Sequence, residues 1–183
     1  MNRLIRPVLT ALTIACAAAS FASVTTDRAM AQQQGGELKQ MALTQKQIDG
    51  AIAAQKDMEA LTAKMQPNAK PDPKVLAQVD ATAKKNGFAS TDEYYTVMDN
   101  ISLVYGGIDP ATKKYVGSEA VIKSQIAEVT ADKKMSANDK KQALEQLNQA
   151  LKQPEPAVQN KGNIDLVVAN FDKLAPVMNE DQQ

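Results

Sequence analysis

The chain has 183 residues, with 21 Lys plus Arg against 21 Asp plus Glu, no His, no Trp and one Cys. That length suffices for one domain with a hydrophobic core. Without His, and with a single Cys, the usual zinc, copper and haem ligand sets, Ser-His-Asp triads and Cys-His pairs cannot be assembled.

The first element is a targeting segment. The chain opens MNRLIRPVLTALTIACAAASFASVTTDRAMAQQQ, with Arg3 and Arg6 ahead of an apolar, small-residue run over 7–24. Ala29 and Ala31 place small side chains at the two positions that a signal peptidase reads. The expectation is a signal peptide over 1–31, cleaved after Ala31, and a mature protein in the periplasm of a Gram-negative bacterium or secreted from it. Lipidation of Cys16 is the rival route, but Thr13 stands where an aliphatic residue is needed. Cleavage removes Arg3, Arg6, Arg28, Asp27 and Cys16. The mature chain then holds 18 Lys and no Arg against 20 acidic residues, a formal charge of −2. Without Arg, bidentate phosphate recognition is lost, and a slightly acidic surface suits nucleic acid poorly. No nucleic-acid partner is expected, nor a membrane span after cleavage.

Residues 32–42 show no apolar period and read as a flexible leader. Thr44 and Gln47 then form a capping box, with Leu43 and Ile48 as a hydrophobic staple. Ala51, Ala54, Met58, Leu61 and Met65 follow at alternating spacings of three and four, one face of a helix that QPNAKPDP ends near residue 66. Asp72-Pro73 opens a second helix with Val75, Leu76, Val79 and Ala83 inward, and Asn86-Gly87 closes it. Ser90 and Glu93 cap a third. Its stripe is Tyr94, Val97, Met98, Ile101, Val104 and Tyr105, and the off-stripe Tyr95 and Leu103 imply contact on more than one side.

Next comes YGGIDPATKKYVG, residues 105–117. Gly106 and Gly107 are expected to end the third helix through the left-handed conformation, and Asp109-Pro110 to start another turn of helix. The stretch reads as a joint rather than a ligand loop. A fourth segment carries Val121, Ile122, Ile126 and Val129. Ser136 and Asp139 begin a fifth, with Ala143, Leu144, Leu147, Ala150 and Leu151 inward. Asn163 caps a last helix with Ile164, Val167, Val168, Phe171, Leu174 and Ala175 on one stripe, and Pro176 stops it. The whole is an all-α domain of about six helices over 43–176, without sheet, followed by a loose tail over 177–183.

Little catalytic chemistry remains. Asp92-Glu93 could serve as an acid–base pair, but acids in a first helical turn also stabilise the helix dipole. The six methionines after residue 31 lack Met-x-Met clusters and read as core filler. No enzyme activity, cofactor or metal site is expected.

LTQKQ at 43–47 resembles the Leu-Thr-x-x-Gln motif of the LTXXQ (Spy/CpxP-like) family of periplasmic proteins, matching at Leu43, Thr44 and Gln47. The resemblance implies a secreted, all-helical, non-enzymatic envelope-stress protein, with ATP-independent chaperone action in some members. The chain carries one copy of a motif that family members usually show twice, and it lacks their arginine-bearing basic surface. Two function classes follow. One is a non-catalytic helical protein that binds other proteins in the cell envelope through Ala51, Ala54, Met58, Leu61 and Met65. The other is a small-ligand binder with a site between helices, lined by Tyr94, Met98, Tyr105 and Tyr115.

Overall fold

A computed structural model of the chain describes residues 38–63, 72–153 and 155–179. The expected signal peptide and Met65 lie outside the described residues. Among those residues the fold is an all-helical bundle of seven helices. They are α1 (Gln45–Thr62), α2 (Pro73–Lys85), α3 (Thr91–Tyr105), α4 (Ser118–Ala131), α5 (Ala137–Ala150), α6 (Gly162–Ala169) and α7 (Phe171–Asn179).

The helix starts follow the local chemistry. Thr44 accepts from the Gln47 amide while the Gln47 side chain accepts from the Thr44 amide, so the capping box is complete. Asp72 caps α2 through the Lys74 amide, with Pro73 at the first helical position. Ser90 and Ser136 cap α3 and α5. Gly87, at φ +93°, takes the left-handed turn that ends α2.

α3 is the centre of the body. It packs against α1, α2 and α6, while α1 also meets α2 and α7. Tyr94, Val97, Met98, Ile101 and Val104 join Ile48, Ala51, Ala54, Met58, Val79, Ala83, Val167, Leu174 and Val177 in one core. Leu103 is buried outside that cluster, as its off-stripe position implied. Gly50 lies where α1 meets the end of α2. A Cβ built there would sit 2.5 Å from the Asn86 carbonyl oxygen, so only glycine allows this approach.

Several sequence expectations are corrected, and one lies on α2, where Leu76, read as inward, is exposed. YGGIDPATKKYVG is a joint, but a β-turn joint rather than a helical one. Strands β1 (Ile108–Asp109) and β2 (Lys114–Tyr115) pair antiparallel, with Ile108 opposite Tyr115. Asp109 accepts from the amides of Ala111 and Thr112, so its side chain builds a turn instead of capping a helix. Gly106 ends α3 at φ −60°, in right-handed geometry, and Gly107 is needed for a different reason. A Cβ built there would collide with the Tyr115 ring. The last stripe is split. Asn170 breaks it into α6 and α7, and Pro176 lies inside α7 rather than after it. That proline removes one internal hydrogen bond, a loss that a nine-residue helix anchored by Phe171, Leu174 and Val177 tolerates. Val177, placed in the expected loose tail, is helical and 2% exposed.

α4 and α5 form a helical hairpin apart from this core. α5 packs chiefly on α4. It has no buried residue, and α4 has only Val121.

Candidate functional site

The face proposed from sequence for partner binding is core. Ala51 and Ala54 are wholly buried and Met58 nearly so, beneath α2, α3 and α7, and Leu61 is packed against the same cluster. The physical reason is that α1 has neighbours on its apolar side, which its periodicity alone could not reveal. A partner could reach these side chains only with α1 displaced.

The four residues proposed as a ligand lining do not converge. Tyr94 is buried edge-on against Phe88, with ring centroids 5.3 Å apart. Met98 is buried in the core. Tyr105 stacks on Phe171 at 4.8 Å and 13°. Burial, and then the Asp172 carboxylate, push its phenol above the ordinary range. Tyr115 alone borders open space. Glu93, of the candidate acid pair, accepts from the Ala89 amide at 2.6 Å and from Gln47 Nε2 at 3.3 Å, a structural use at the start of α3.

The open space beside Tyr115 is a shallow cleft of about 370 Å³ at the base of the hairpin. Its walls are Val116, the start of α4 (Ser118, Glu119, Lys123) and the returning chain at Glu155, Pro156 and Ala157. Val116 is 48% exposed, one of two large apolar side chains so open among the described residues. Glu119 pairs with Lys123 at 2.6 Å, and that ammonium holds its carboxyl below the ordinary range. Burial, and then the Glu155 charge, raise the Tyr115 phenol. The cleft is thus open and mixed in polarity, with Glu119, Lys123 and Glu155 in its walls.

Above it runs the seam of the hairpin. α4 carries Ile122, Ile126 and Val129, and the α5 side carries Ala143, Leu144, Leu147 and Leu151, each set at helical spacings of three and four on two helices that pack together. Every one of them is only half-buried, because two helices alone cannot enclose a seam. The far end is well ordered by hydrogen bonds. Asp132 accepts from the Lys134 amide at 2.6 Å and the Met135 amide at 3.3 Å, and Lys140 Nζ reaches the carbonyls of Thr130 and Asp132. Those amide donors, with Lys140 and Lys134 nearby, hold the Asp132 carboxyl low against the opposing effect of desolvation. Lys133 and Lys134 are left exposed at the tip, beside the half-buried Met135.

Three asparagines position all of this: Asn100 and Asn170 carried no sequence reading, and Asn163, read as the cap of the last helix, lies inside α6, whose start has no side-chain cap bond. Asn100, Asn163 and Asn170 are buried, and each holds a residue of the segment 39–45. Asn100 Nδ2 donates to the Lys39 carbonyl while its Oδ1 accepts from the Met41 amide. Asn163 Nδ2 donates to the Met41 carbonyl and its Oδ1 accepts from the Leu43 amide at 2.8 Å. Asn170 exchanges two bonds with the Gln45 side chain. The first two side chains act as the edge of a β-ladder, bonding alternate residues 39, 41 and 43 of an extended strap. Residues 39–42, read from sequence as leader, are therefore fastened to the body. Gln40 extends the tether by donating to the Ala157 carbonyl and accepting from the Gln159 amide, which fixes one wall of the cleft. A buried Asn has no periodic signature, but each of the three lies within an otherwise apolar helical stretch, and that was the available signal.

Among the described residues no group of three or more His, Cys, Asp or Glu could hold a metal ion, and no helix is long and apolar enough to cross a membrane. Compared with protein families, curated proteins and solved structures, the chain matches none.

Proposed function

We propose that the protein works by non-covalent contact with other proteins, without catalysis, in the cell envelope outside the inner membrane. The observation that carries this reading is the half-covered apolar seam of the α4–α5 hairpin, which replaces the α1 face as the contact surface. An apolar strip flanked by charge and held out from the core is the arrangement expected of a protein-binding element. The N-terminal pattern supports the location. The LTXXQ-like motif supports the envelope-stress association only in that order, since Leu43, Thr44 and Gln47 all have local folding roles here.

The small-ligand alternative finds less support, because three of its four residues are packed in or against the core and the fourth borders an open cleft. The test uses the chain from Gln32, which retains every described residue. It should suppress the aggregation of a chemically denatured client, and Leu144→Ser/Leu147→Ser should lose that effect while keeping the wild-type circular dichroism spectrum. No suppression by the intact chain, together with a melting temperature raised by a small metabolite, would transfer the assignment to the ligand reading.

A further inference from the structure

Residues 39–43 are fastened through side chains. Among the described residues they make no backbone-to-backbone hydrogen bond, although they run along α3 and α6. Two asparagines take the place of a neighbouring strand. Asn100 donates to the Lys39 carbonyl at 2.9 Å and accepts from the Met41 amide at 3.0 Å, so its side-chain amide brackets residue 40. Asn163 brackets residue 42 in the same way, between the Met41 carbonyl and the Leu43 amide, each at 2.8 Å. A carbonyl and the amide two residues further on are the groups that one residue of a parallel neighbouring strand would bond. Gln40 repeats the bracket in the opposite sense, on the Ala157 carbonyl at 2.9 Å and the Gln159 amide at 2.8 Å.

We propose that the groove along α3 and α6 is a binding site for an extended peptide of another protein, with residues 39–43 as its resident occupant. It is a contact separate from the α4–α5 seam. Three observations carry it. The Asn100 and Asn163 brackets read main-chain N–H and C=O groups, which every peptide presents, so they are not particular to this strap. Both side chains are built into the fold. They are 1% and 3% exposed, and the Thr96 carbonyl takes the other hydrogen of Asn100 Nδ2. A departing strap leaves their polar atoms without partners, so the vacated groove favours another extended backbone over an apolar filler. The strap also precedes the first helix, and it can leave without unwinding any element. Its side chains define the preference. Leu43 is buried and Met41 packs against the core, while Ala42 between them is exposed, so the groove takes apolar residues two apart. Gln40 adds a side-chain amide just before the first of them. The ligand class is thus an extended segment of the form that Gln40-Met41-Ala42-Leu43 displays: amide, apolar, any, apolar. The tethered strap competes at high effective concentration, so peptide binding is weak until the strap is loosened.

The probe is the strap sequence itself, the end-capped peptide GELKQMALT of residues 36–44, added to the chain from Gln32. Amide hydrogen exchange of the wild-type chain is the first readout. A peptide seated in the groove holds the strap out, so exchange of the Met41 and Leu43 amides should accelerate by 1 + [peptide]/Kd, about tenfold at nine times Kd, with α3 amides unchanged. The same peptide methylated at its Met and Leu amide nitrogens cannot donate to Asn100 and Asn163 and should have no such effect. The second readout is calorimetry with Met41→Pro, which removes from the strap the amide that Asn100 accepts and leaves both asparagines in place. The peptide should bind this variant about tenfold or more tighter than wild type, and Met41→Pro/Asn163→Ala should lose about tenfold of that affinity. Should Met41→Pro not fold, the wild-type exchange decides alone. Unchanged strap exchange up to about 5 mM peptide, with no binding to Met41→Pro, overturns the inference. So does a methylated peptide that acts as well as the plain one, because the contact then bypasses the brackets. The seam is read by client protection and the groove by these two measurements, so either proposal can fail alone.

Discussion

α3 and α5 begin alike and end differently. They have 15 and 14 residues, and each starts at a serine that caps the third amide of the helix. Each carries an apolar stripe at helical spacing. Yet α3 buries seven residues and α5 none. The difference lies in what surrounds them: α3 is enclosed by α1, α2 and α6, and α5 has α4 for its main neighbour. An amphipathic stripe is a local property of sequence, whereas its coverage is a property of the assembled fold. Two regions of similar local chemistry thus become an enclosed helix and an open hairpin whose apolar stripe stays half-covered.

Mutations should separate the two regions sharply. Ile101 is fully buried at the middle of α3, so Ile101→Ala should cost about 2–5 kcal/mol in urea unfolding, from lost burial and an unfilled cavity. Gly50→Ala comes next. In an exposed helix this change would stabilise by about 1 kcal/mol. Here the new methyl meets the Asn86 carbonyl, and the expected effect is a loss of about 1–3 kcal/mol. A stabilised variant would show that α1 and the end of α2 are not closely packed. Asn163→Ala should cost about 1–3 kcal/mol by leaving the buried Leu43 amide without its acceptor. Its distinguishing sign is faster amide exchange at Met41 and Leu43, ahead of any change in α5. Leu147→Asp should have the smallest effect on global unfolding, under about 1 kcal/mol, because the new carboxylate stays in reach of water. Were Leu147 sealed as Ile101 is, the same change would be among the most damaging in the molecule.

That last contrast marks how far the sequence could be read. The capping box at Thr44 and Gln47, the Asp72-Pro73 start, the Ser90 and Ser136 caps and the Asn86-Gly87 stop were all legible, because each depends on residues within one turn. The stripe on α5 was legible too, but it read as core because periodicity carries no information about neighbours. The same blindness ran the other way at Ala51, Ala54 and Met58, read as a presented face and found under three helices. Tyr115 over Gly107 and Gly50 against Asn86 are contacts across elements, so those glycines could be read only as punctuation or not at all. The strap was missed because its partners lie far along the chain. Leu43 and Asn163 are 120 residues apart, and neither belongs to a pattern that points to the other.

The central claim is that the body is sealed and the α4–α5 hairpin is open. Native-state hydrogen exchange of the chain from Gln32, in dilute solution and resolved by residue, tests it most directly. The account predicts that α3 amides exchange only through global unfolding, while α5 amides exchange through a local opening of much lower free energy. Protection of α5 equal to that of α3, with the same dependence on denaturant, would contradict it.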